Sequence, residues 1–371
     1  MYFKVNKKEF LDNINVVSKA VSINSPLPVL HNIKVMAKDG YLQLTASDSD
    51  VSIQTTIFAE DDDNLQIFEE GNILLDGKYL ADMVRKIDSE VVEVETIDGC
   101  LTSIKSSTIN FELNGMKADN FPLIDFSKPT ESFVIKPDVL KNIINQTCFA
   151  TSDKETRPVL TGLNINCKDN IMTCVATDSY RLAQKKLSLD GTHSFNITIP
   201  SKSLIDISKI INTDKDITVA LSDKKVLFEI HNTVVQTRLI DGMYPETSKL
   251  IPNEFLYELV VDARDLLNAL DSGNFIKNEG IYVVKMEINE NEINITSRSN
   301  EAGSAVKVIP VSYKGDPLSI SFKGNYVYDA IRALNAFQVK ISFSGNMKPF
   351  VLKSLDDDNV LQLVLPLKTY N

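Results

Sequence analysis

Three stretches of this chain begin alike, and their repetition decides the fold. They read FKVNKKEFL at residues 3–11, FVIKPDVL at residues 133–140 and LVVDARDLL at residues 259–267. In each stretch apolar side chains first alternate, as in a strand, and then recur at helical spacing. The copies lie roughly 130 residues apart, far beyond the period of a solenoid repeat, so we interpret them as three whole domains.

Later parts of each copy also match. A second strand signal reads LQLTASD at residues 42–48, MTCVATD at residues 172–178 and INITS at residues 293–297. Another strand and helix then follow, with the strands expected at residues 71–75, 195–199 and 318–322. The remaining segments alternate in short runs typical of antiparallel strands. The pattern predicts an α+β fold in which two helices per domain pack on antiparallel sheets.

One face of each expected helix is apolar. The six faces consist of Phe10, Ile14, Val17 and Val21; Tyr79, Leu80, Met83, Val84 and Ile87; Leu140, Ile143, Ile144 and Thr147; Leu204, Ile205, Ile207 and Ile211; Leu266, Leu267 and Leu270; and Val327, Ala330, Ile331 and Leu334. Pro137 suits a first helical turn and Ser201 suits an N-cap position.

The segments that link the copies are polar and contain proline, as domain boundaries usually do. Copy one closes with NFPLI at residues 120–124 and copy two with MYP at residues 243–245. We expect domains at residues 1–125, 126–252 and 253–371. A chain of similar curved modules can close into a ring when two copies meet head to tail.

Composition excludes several classes of protein. The 371 residues are 43% apolar, but no run reaches the roughly 18 apolar residues of a membrane span. The N-terminal MYFKVNKK has no apolar core of a signal peptide, so we expect a cytoplasmic protein. The four cysteines form no C-x-x-C pair, and the histidines are isolated. We therefore expect buried thiols, no metal site and no cofactor.

The net charge of −11 argues against nucleic-acid binding by bulk attraction, since Lys and Arg drive phosphate binding. The expected helices carry about as many basic as acidic residues, however, so the acidic excess lies elsewhere. A roughly neutral helical surface inside an acidic rim weakly favours passage of a duplex. It predicts loose, salt-sensitive phosphate contacts without base readout.

Four motifs carry a resemblance that covers essentially the whole chain. They are LPVL at residues 27–30, RPVLTG at residues 157–162, VATDSYRLA at residues 175–183 and LPL at residues 365–367. On these the sequence resembles the bacterial beta sliding clamps, the processivity subunits of DNA polymerase III. The resemblance implies a non-catalytic homodimeric ring whose helices line a hole for double-stranded DNA. It further implies as partners an alpha or PolC-type polymerase, a clamp loader and other proteins bearing a clamp-binding motif.

The resemblance also implies a partner-peptide groove on the second domain near its junction with the third. It maps onto Leu160, Thr177, Tyr180, Arg181, Leu182, Pro245, Leu250, Leu363, Val364, Leu365, Pro366 and Leu367. The residues support this independently, because a chain end rich in Leu and Val must pack somewhere. An apolar cleft with a few polar groups suits a short peptide with one or two hydrophobic anchors. The alternative is that these residues are ordinary core.

Two further surfaces follow from the resemblance. The DNA-facing residues are expected to be Lys19, Asn24, Lys78, Arg85, Lys86, Arg157, Lys202 and Lys209. Relatives often carry an arginine just before the L-P-x-L segment, whereas this chain reads SINSP at residues 22–26, so a charged contact is lost there. Ring closure is expected to place Lys78 and the second helix against Phe275 and Ile276, alongside the strand at residues 298–308. Phe275 and Ile276 fit a domain core equally well.

Two rival functions remain open. Asp48, Asp50 and the acidic run at residues 61–63 could hold Mg²⁺ in a nuclease if they cluster. No phosphate-binding loop or nucleophile motif accompanies them. The other rival is a repeat scaffold that binds peptides but never DNA.

Overall fold

The computed structural model describes residues 1–22, 25–60, 64–313 and 315–368. Within these ranges the α-helices are α1 (Lys7–Val17), α2 (Gly77–Lys86), α3 (Pro137–Thr147), α4 (Ser201–Ile210), α5 (Ala263–Asp271) and α6 (Gly324–Leu334). Short 3₁₀ turns occupy Ser18–Ala20, Pro28–His31, Ala118–Asn120, Cys148–Ala150, Pro158–Thr161 and Ser248–Leu250. All six helices expected from the repeats are therefore present, and each expected strand overlaps one of the strands given next.

The strands fall into three sets, one for each repeat. The first set is β1 (Tyr2–Asn6), β2 (Asn32–Lys38), β3 (Tyr41–Ser47), β4 (Val51–Phe58), β5 (Leu65–Glu69), β6 (Gly71–Asp76), β7 (Val91–Asp98), β8 (Leu101–Lys105) and β9 (Asn110–Asn114). The second is β10 (Glu131–Ile135), β11 (Gly162–Lys168), β12 (Ile171–Thr177), β13 (Arg181–Ser188), β14 (Phe195–Pro200), β15 (Ile217–Leu221), β16 (Lys225–Ile230) and β17 (Thr233–Arg238). The third is β18 (Tyr257–Asp262), β19 (Val283–Ile288), β20 (Glu292–Ser299), β21 (Gly303–Pro310), β22 (Leu318–Lys323), β23 (Gln338–Phe343), β24 (Phe350–Ser354) and β25 (Val360–Val364).

Local chemistry explains where several helices begin. Asn6, Asp76 and Asp262 each end a strand and accept hydrogen bonds from backbone N–H groups of the following first turn. Such caps satisfy donors that have no partner inside the helix. As expected, α3 begins at Pro137. Ser201 is itself the first residue of α4, and its hydroxyl donates to the carbonyl oxygen of Thr161 at 2.8 Å.

The strands form four sheets in which every described pairing is antiparallel. Their strand orders are β5-β1-β7-β8-β9, β10-β15-β16-β17-β4-β3-β2-β6, β14-β11-β12-β13-β25-β24-β23-β18 and β21-β20-β19-β22. The two eight-stranded sheets each combine strands from consecutive repeats, through β17 paired with β4 and β25 paired with β13. We call these two strand pairings the first joint and the second joint.

The chain divides into two compact units rather than at the expected domain boundaries. One unit contains residues 1–140 and 206–239, and the other contains residues 141–205 and 240–371. The middle repeat is split because one of its sheets continues through the first joint and the other through the second joint. Each continuous hydrogen-bonded sheet thus joins halves of two consecutive repeats into one compact unit.

The expected apolar helix faces supply the cores. In the second unit α5 and α6 bury residues such as Leu266, Leu270 and Ile331 against strands of two sheets. In the first unit Phe10, Ile14 and Val17 of α1 are fully buried. Tyr79 and Ile205, which were also assigned to apolar faces, are instead exposed. Both lie at the margin of their face, where a tyrosine ring or an isoleucine can remain in solvent at little cost.

Candidate functional site

A tight turn from Thr177 to Arg181 organises the site. One carboxylate oxygen of Asp178 accepts the backbone N–H groups of Tyr180 and Arg181, each at 2.9 Å. The Thr177 hydroxyl donates to the Arg181 carbonyl at 2.6 Å and accepts the N–H of Ser179 at 3.1 Å. These bonds hold Ser179 at a positive φ of 78°, a conformation that is uncommon for residues other than glycine. Asp and Thr stabilise such a turn through their side-chain oxygens.

An apolar cluster lies beside this turn, along the second joint. We call it the groove cluster; it consists of the buried Val175, Leu182, Val351 and Leu363 with the partly exposed Tyr244, Ile251, Phe255, Leu361 and Leu365 packed against them. Strand pairing brings its centre together, because Leu182 lies opposite Leu363 and Leu363 lies opposite Val351. Of the expected groove residues, Leu182, Leu363 and Leu365 therefore come together.

The end of the chain is fixed across this surface by two backbone hydrogen bonds. The N–H of Leu365 donates to the carbonyl of Tyr180 at 2.9 Å, and the N–H of Leu367 donates to the carbonyl of Ser321 at 2.7 Å. Tyr180 exposes 55% of its surface beside the buried Leu182. Residues 363–367 and the turn thus form neighbouring parts of one surface.

The other expected groove residues lie outside the groove cluster. Leu160 is buried, and Pro245 and Leu250 are exposed on the loop that supplies Tyr244 and Ile251, while Thr177 serves the turn and Pro366 and Leu367 are half-buried. Val364 requires a correction. It is 1% exposed and packs in the large core of α5 and α6, since successive residues of a strand point to opposite faces.

Arg181 was expected to be one of the polar groups of the groove, and its guanidinium is occupied by other groups of the chain. Its Nε donates to Asp178 at 3.1 Å and its Nη1 to Asp329 at 2.7 Å. Its guanidinium carbon lies 5.3 Å from the ring centre of Phe149 and 4.5 Å from that of Tyr326. With a side chain only 14% exposed, Arg181 joins the turn to α6 and is mainly a structural residue of the groove wall.

Sequence reasoning missed six members of the groove cluster. Val175 could have been found, because it lies two residues before Thr177 and therefore on the same face of β12. Tyr244 adjoins Pro245, which was chosen. Val351, Ile251, Phe255 and Leu361 carried no recognisable signal, because their membership depends on how distant segments pair.

Burial raises the pKa of one hydroxyl and two thiols in this part of the chain. Desolvation raises the pKa of the Tyr244 hydroxyl far above its ordinary value and raises the pKa of the Cys148 thiol to about 12. It also raises the pKa of Cys174 strongly. These groups stay protonated at neutral pH, so the two thiols are not nucleophiles.

The basic residues expected to face DNA are mostly free in solvent. Lys19, Lys78, Lys86, Arg157 and Lys202 are exposed. Arg85 and Lys209 are also exposed but pair with Asp82 and Asp206 three residues earlier on their helices. Asn24 lies outside the described residues. The side chains are thus accessible, and two of them have part of their charge compensated.

The residues expected at a subunit interface differ in how far they are exposed to solvent. Lys78 is exposed, and Phe275 exposes 67% of its surface. Ile276 is only 2% exposed, which corrects its assignment to an interface: it is core, and Phe275 alone is available. The nearby edge strand β21 exposes Val306 and Val308 by 62% and 48%.

Asp48, which was considered as a metal ligand, has a structural role. Asp48 accepts the backbone N–H groups of Asp50 and Val51 in a turn like that at Asp178. The acidic run at residues 61–63 lies outside the described residues. Elsewhere in the described chain, no group of three or more His, Cys, Asp or Glu side chains is placed to hold a metal ion. No helix in those ranges is long and apolar enough to cross a membrane.

Comparison with known families covers nearly the whole chain. Models of the DNA polymerase III beta subunit match in order, the N-terminal domain at residues 1–125, the central domain at 134–246 and the C-terminal domain at 248–368. The beta sliding clamp of Bacillus subtilis is 37% identical over 378 residues, which cover 100% of both chains.

Solved structures agree. The DNA polymerase sliding clamp from Bacillus subtilis superposes with a TM-score of 0.94 at 36% identity over 100% of both chains. The DNA polymerase III beta chain from Streptococcus pneumoniae gives 0.94 at 30% identity over 99% of this chain and 100% of that one. The chain belongs to the DNA polymerase III beta subunit, or beta sliding clamp, family. This confirms the resemblance drawn from the four motifs, the α+β fold of three tandem clamp domains and the interpretation as a clamp rather than an enzyme.

Proposed function

We propose that two copies of this chain close head to tail into a ring around duplex DNA, and that the groove cluster tethers the replicative polymerase and other motif-bearing partners. The ring links protein to DNA topologically, so tight DNA binding is unnecessary. A partner held in the groove meets its template at a raised effective concentration, and dissociation is followed by rebinding. A separate clamp loader, working in the cytoplasm, supplies the energy for opening.

The observation that carries ring closure is the pair of free edge strands β9 and β21. At the first joint, the last strand of the β15-β16-β17 meander pairs with β4; at the second, the last strand of β23-β24-β25 pairs with β13. Among the described residues, the corresponding meander β7-β8-β9 ends at an edge with no further strand partner, and β21, the counterpart of β4 and β13, is likewise an edge strand. An unpaired edge is a template for another strand, so β9 of one copy pairs with β21 of the next.

The two joints also supply a register for this third pairing, by analogy. Residues that face one another across successive strands form the rows Phe133–Val219–Phe228–Val235–Ile53 and Leu259–Ile341–Leu352–Gln362–Ala183. The third row runs Phe3–Val94–Ile104–Phe111 and then stops. Ala305 matches Ile53 and Ala183, because it opposes Ser297, which stands in the third repeat where Ala46 and Ala176, the partners of Ile53 and Ala183, stand in the first two. Phe111 of one copy therefore faces Ala305 of the other.

Cysteine cross-linking tests this register. A chain with Phe111→Cys and Ala305→Cys should form disulfide-linked dimers under mild oxidation, since facing residues of antiparallel strands have Cα atoms within disulfide range. The control pair Phe111→Cys with Val308→Cys is three residues out of register and should cross-link poorly. Preferential linking of the control pair, or of neither pair in a chain that sizes as a dimer, would contradict the register.

The groove assignment is tested separately. Leu182→Ala combined with removal of residues 365–371 should abolish stimulation of the replicative polymerase while the chain still sizes as a dimer. The matched control is Ser52→Ala, at the corresponding position of the first joint, which should leave stimulation intact. Stimulation that survives in the groove variant would show that partners bind elsewhere.

The DNA-facing assignment follows from the same ring. Lys19, Lys78, Lys86, Arg157 and Lys202 give weak phosphate contacts that salt screens, with no base readout. Arg85 and Lys209 contribute less, because acidic neighbours compensate them. We keep the domain boundaries at residues 1–125, 126–252 and 253–371 as a description of the repeat, and we assign Lys78 and Phe275, with β21, to the dimer interface.

A further inference from the structure

We propose that Lys323 makes the groove select peptides that carry a carboxylate beside their apolar anchors. This inference rests on the proposed function, because it assumes that a peptide occupies the groove cluster. It concerns which peptides are preferred, however, and not whether any peptide binds, so the two claims can fail separately.

Lys323 stands at the chain-end side of the groove cluster. It is the last residue of β22, two positions after Ser321, whose carbonyl accepts the N–H of Leu367 at 2.7 Å. Its Nζ lies 5.0 Å from the ring centre of Tyr180. The carbonyl of Tyr180 in turn accepts the N–H of Leu365, a member of the groove cluster. The ammonium is therefore next to the apolar surface that would hold the anchors.

Two aromatic rings hold this ammonium in place. Besides Tyr180, Tyr326 lies with its ring centre 4.9 Å from Nζ, and the Tyr326 hydroxyl accepts a hydrogen bond from Nζ at 3.2 Å. The negative faces of aromatic rings attract a cation, so the side chain loses less freedom when it meets a ligand. An ammonium has three N–H donors, and the ring contacts leave donors free.

No carboxylate of the described residues neutralises Lys323, since none lies within 4.0 Å of Nζ. The carboxylates of Asp178 and Asp329 are both paired with Arg181, whose guanidinium also lies over the Tyr326 ring. A ligand carboxylate at Lys323 therefore meets a cation without having to displace an anion of the described residues.

The chemistry of the ligand follows. Apolar side chains of a peptide bury against the partly exposed members of the groove cluster, such as Leu361 and Leu365, and a carboxylate next to them reaches Lys323. That carboxylate can come from an Asp or Glu side chain or from the free C-terminus of the peptide. An exposed ion pair contributes little by itself, so Lys323 tunes selectivity while the apolar anchors supply most of the affinity.

Fluorescence anisotropy with the intact dimeric chain tests the proposal. The probes are capped hexapeptides with two fixed leucines, in which each other position in turn is Asp or the isosteric Asn; a second set compares free and amidated C-termini. At one position or at the C-terminus, the carboxylate form should bind roughly two- to fivefold more tightly. The preference should shrink as salt rises, because salt screens the pair.

Matched variants assign the preference to Lys323. Lys323→Met keeps the apolar stem and should bind the Asn and amidated probes as before but lose the preference, whereas Lys323→Arg should retain it. Lys340→Met removes a lysine that is already paired with Glu258 and should change nothing. Equal binding of charged and neutral probes, or a preference that persists in Lys323→Met, overturns the proposal. If no probe binds the unaltered chain, the groove assignment fails with it.

Discussion

The first and second joints share one backbone plan but present different surfaces. At the first joint the N–H of Arg238 donates to the carbonyl of Asp50 at 3.0 Å, and at the second the N–H of Leu365 donates to the carbonyl of Tyr180 at 2.9 Å. Both joints have the same Asp-stabilised turn, with Ser49 at a φ of 83° and Ser179 at 78°. The scaffold is therefore common to both, and the surface is not.

The difference lies in the side chains at matching positions. Leu182 and Leu363 face each other at the second joint, and Ser52 and Gln236 take their places at the first. The polar residues bond locally: Ser52 shares a hydrogen bond of 2.9 Å with Ser47, and Gln236 accepts one of 3.1 Å from Lys225.

A joint whose polar groups are already satisfied offers nothing to an apolar peptide, whereas the buried apolar pair of the second joint is flanked by partly exposed apolar side chains such as Leu361 and Leu365. The repeats therefore share one scaffold, and the side chains at a few strand positions distinguish the second joint, which we propose as the binding site. This is consistent with function residing in sites placed on a fold rather than in the fold itself.

The largest expected effect comes from truncating the apolar pair. Leu182→Ala should lower the free energy of unfolding by about 2–4 kcal/mol. Leu182 is only 2% exposed, so its truncation removes buried apolar surface and leaves a cavity. Ser52→Ala at the matching position should cost only about 1 kcal/mol, for one hydrogen bond. Urea unfolding of both variants measures the difference. Equal losses at the two positions would mean that the joints are stabilised in the same way.

A smaller effect, equal at both joints, is expected for the shared turn. Ser49→Gly and Ser179→Gly each relieve a left-handed conformation, but glycine also loses more freedom on folding. We therefore expect a net stabilisation of up to about 1 kcal/mol at either site. Thermal unfolding of the single and double variants checks this. A clear destabilisation at one site only would show that the turns are not equivalent.

The smallest effect concerns how stability depends on pH in acid, through a carboxylate that is bonded to the polar network of the first joint. Hydrogen bonds from Ser127 and then from Lys225 lower the pKa of Asp125 from its ordinary 3.8 to about 2. Because the folded-state pKa is depressed, the stabilisation is complete above pH 4 and is lost as pH falls through about 2. In carboxyl NMR titrations, Ser127→Ala should raise the pKa more than Lys225→Met does. The reverse order would contradict this assignment of causes.

The architecture was predictable because it depends on patterns within short windows. Strand alternation, helical spacing and the threefold recurrence placed all six helices, and the VATDSYRLA motif located the turn. The error at Val364 was avoidable, since Leu363 and Leu365 point to one face of the chain and Val364 points to the other. Ile276 was not decidable in this way, because it follows a helix and belongs to no alternating run.

The site itself was less predictable, because it depends on pairings between distant segments. Arg181 bonds Asp329, 148 residues away, and nothing in the sequence links the two. Val351 joins the groove cluster only because β24 pairs with β25. The division into two compact units also escaped prediction, since a repeat in sequence does not reveal which sheets continue across its boundaries.

Retention on DNA of different topology tests the tethering ring most directly. After loading, the chain should remain on nicked circular duplex DNA in high salt and should leave rapidly once the circle is cut at one site. High salt removes phosphate contacts but cannot open a topological link. Equal retention on circular and linear DNA, or complete loss from intact circles at high salt, would contradict the account.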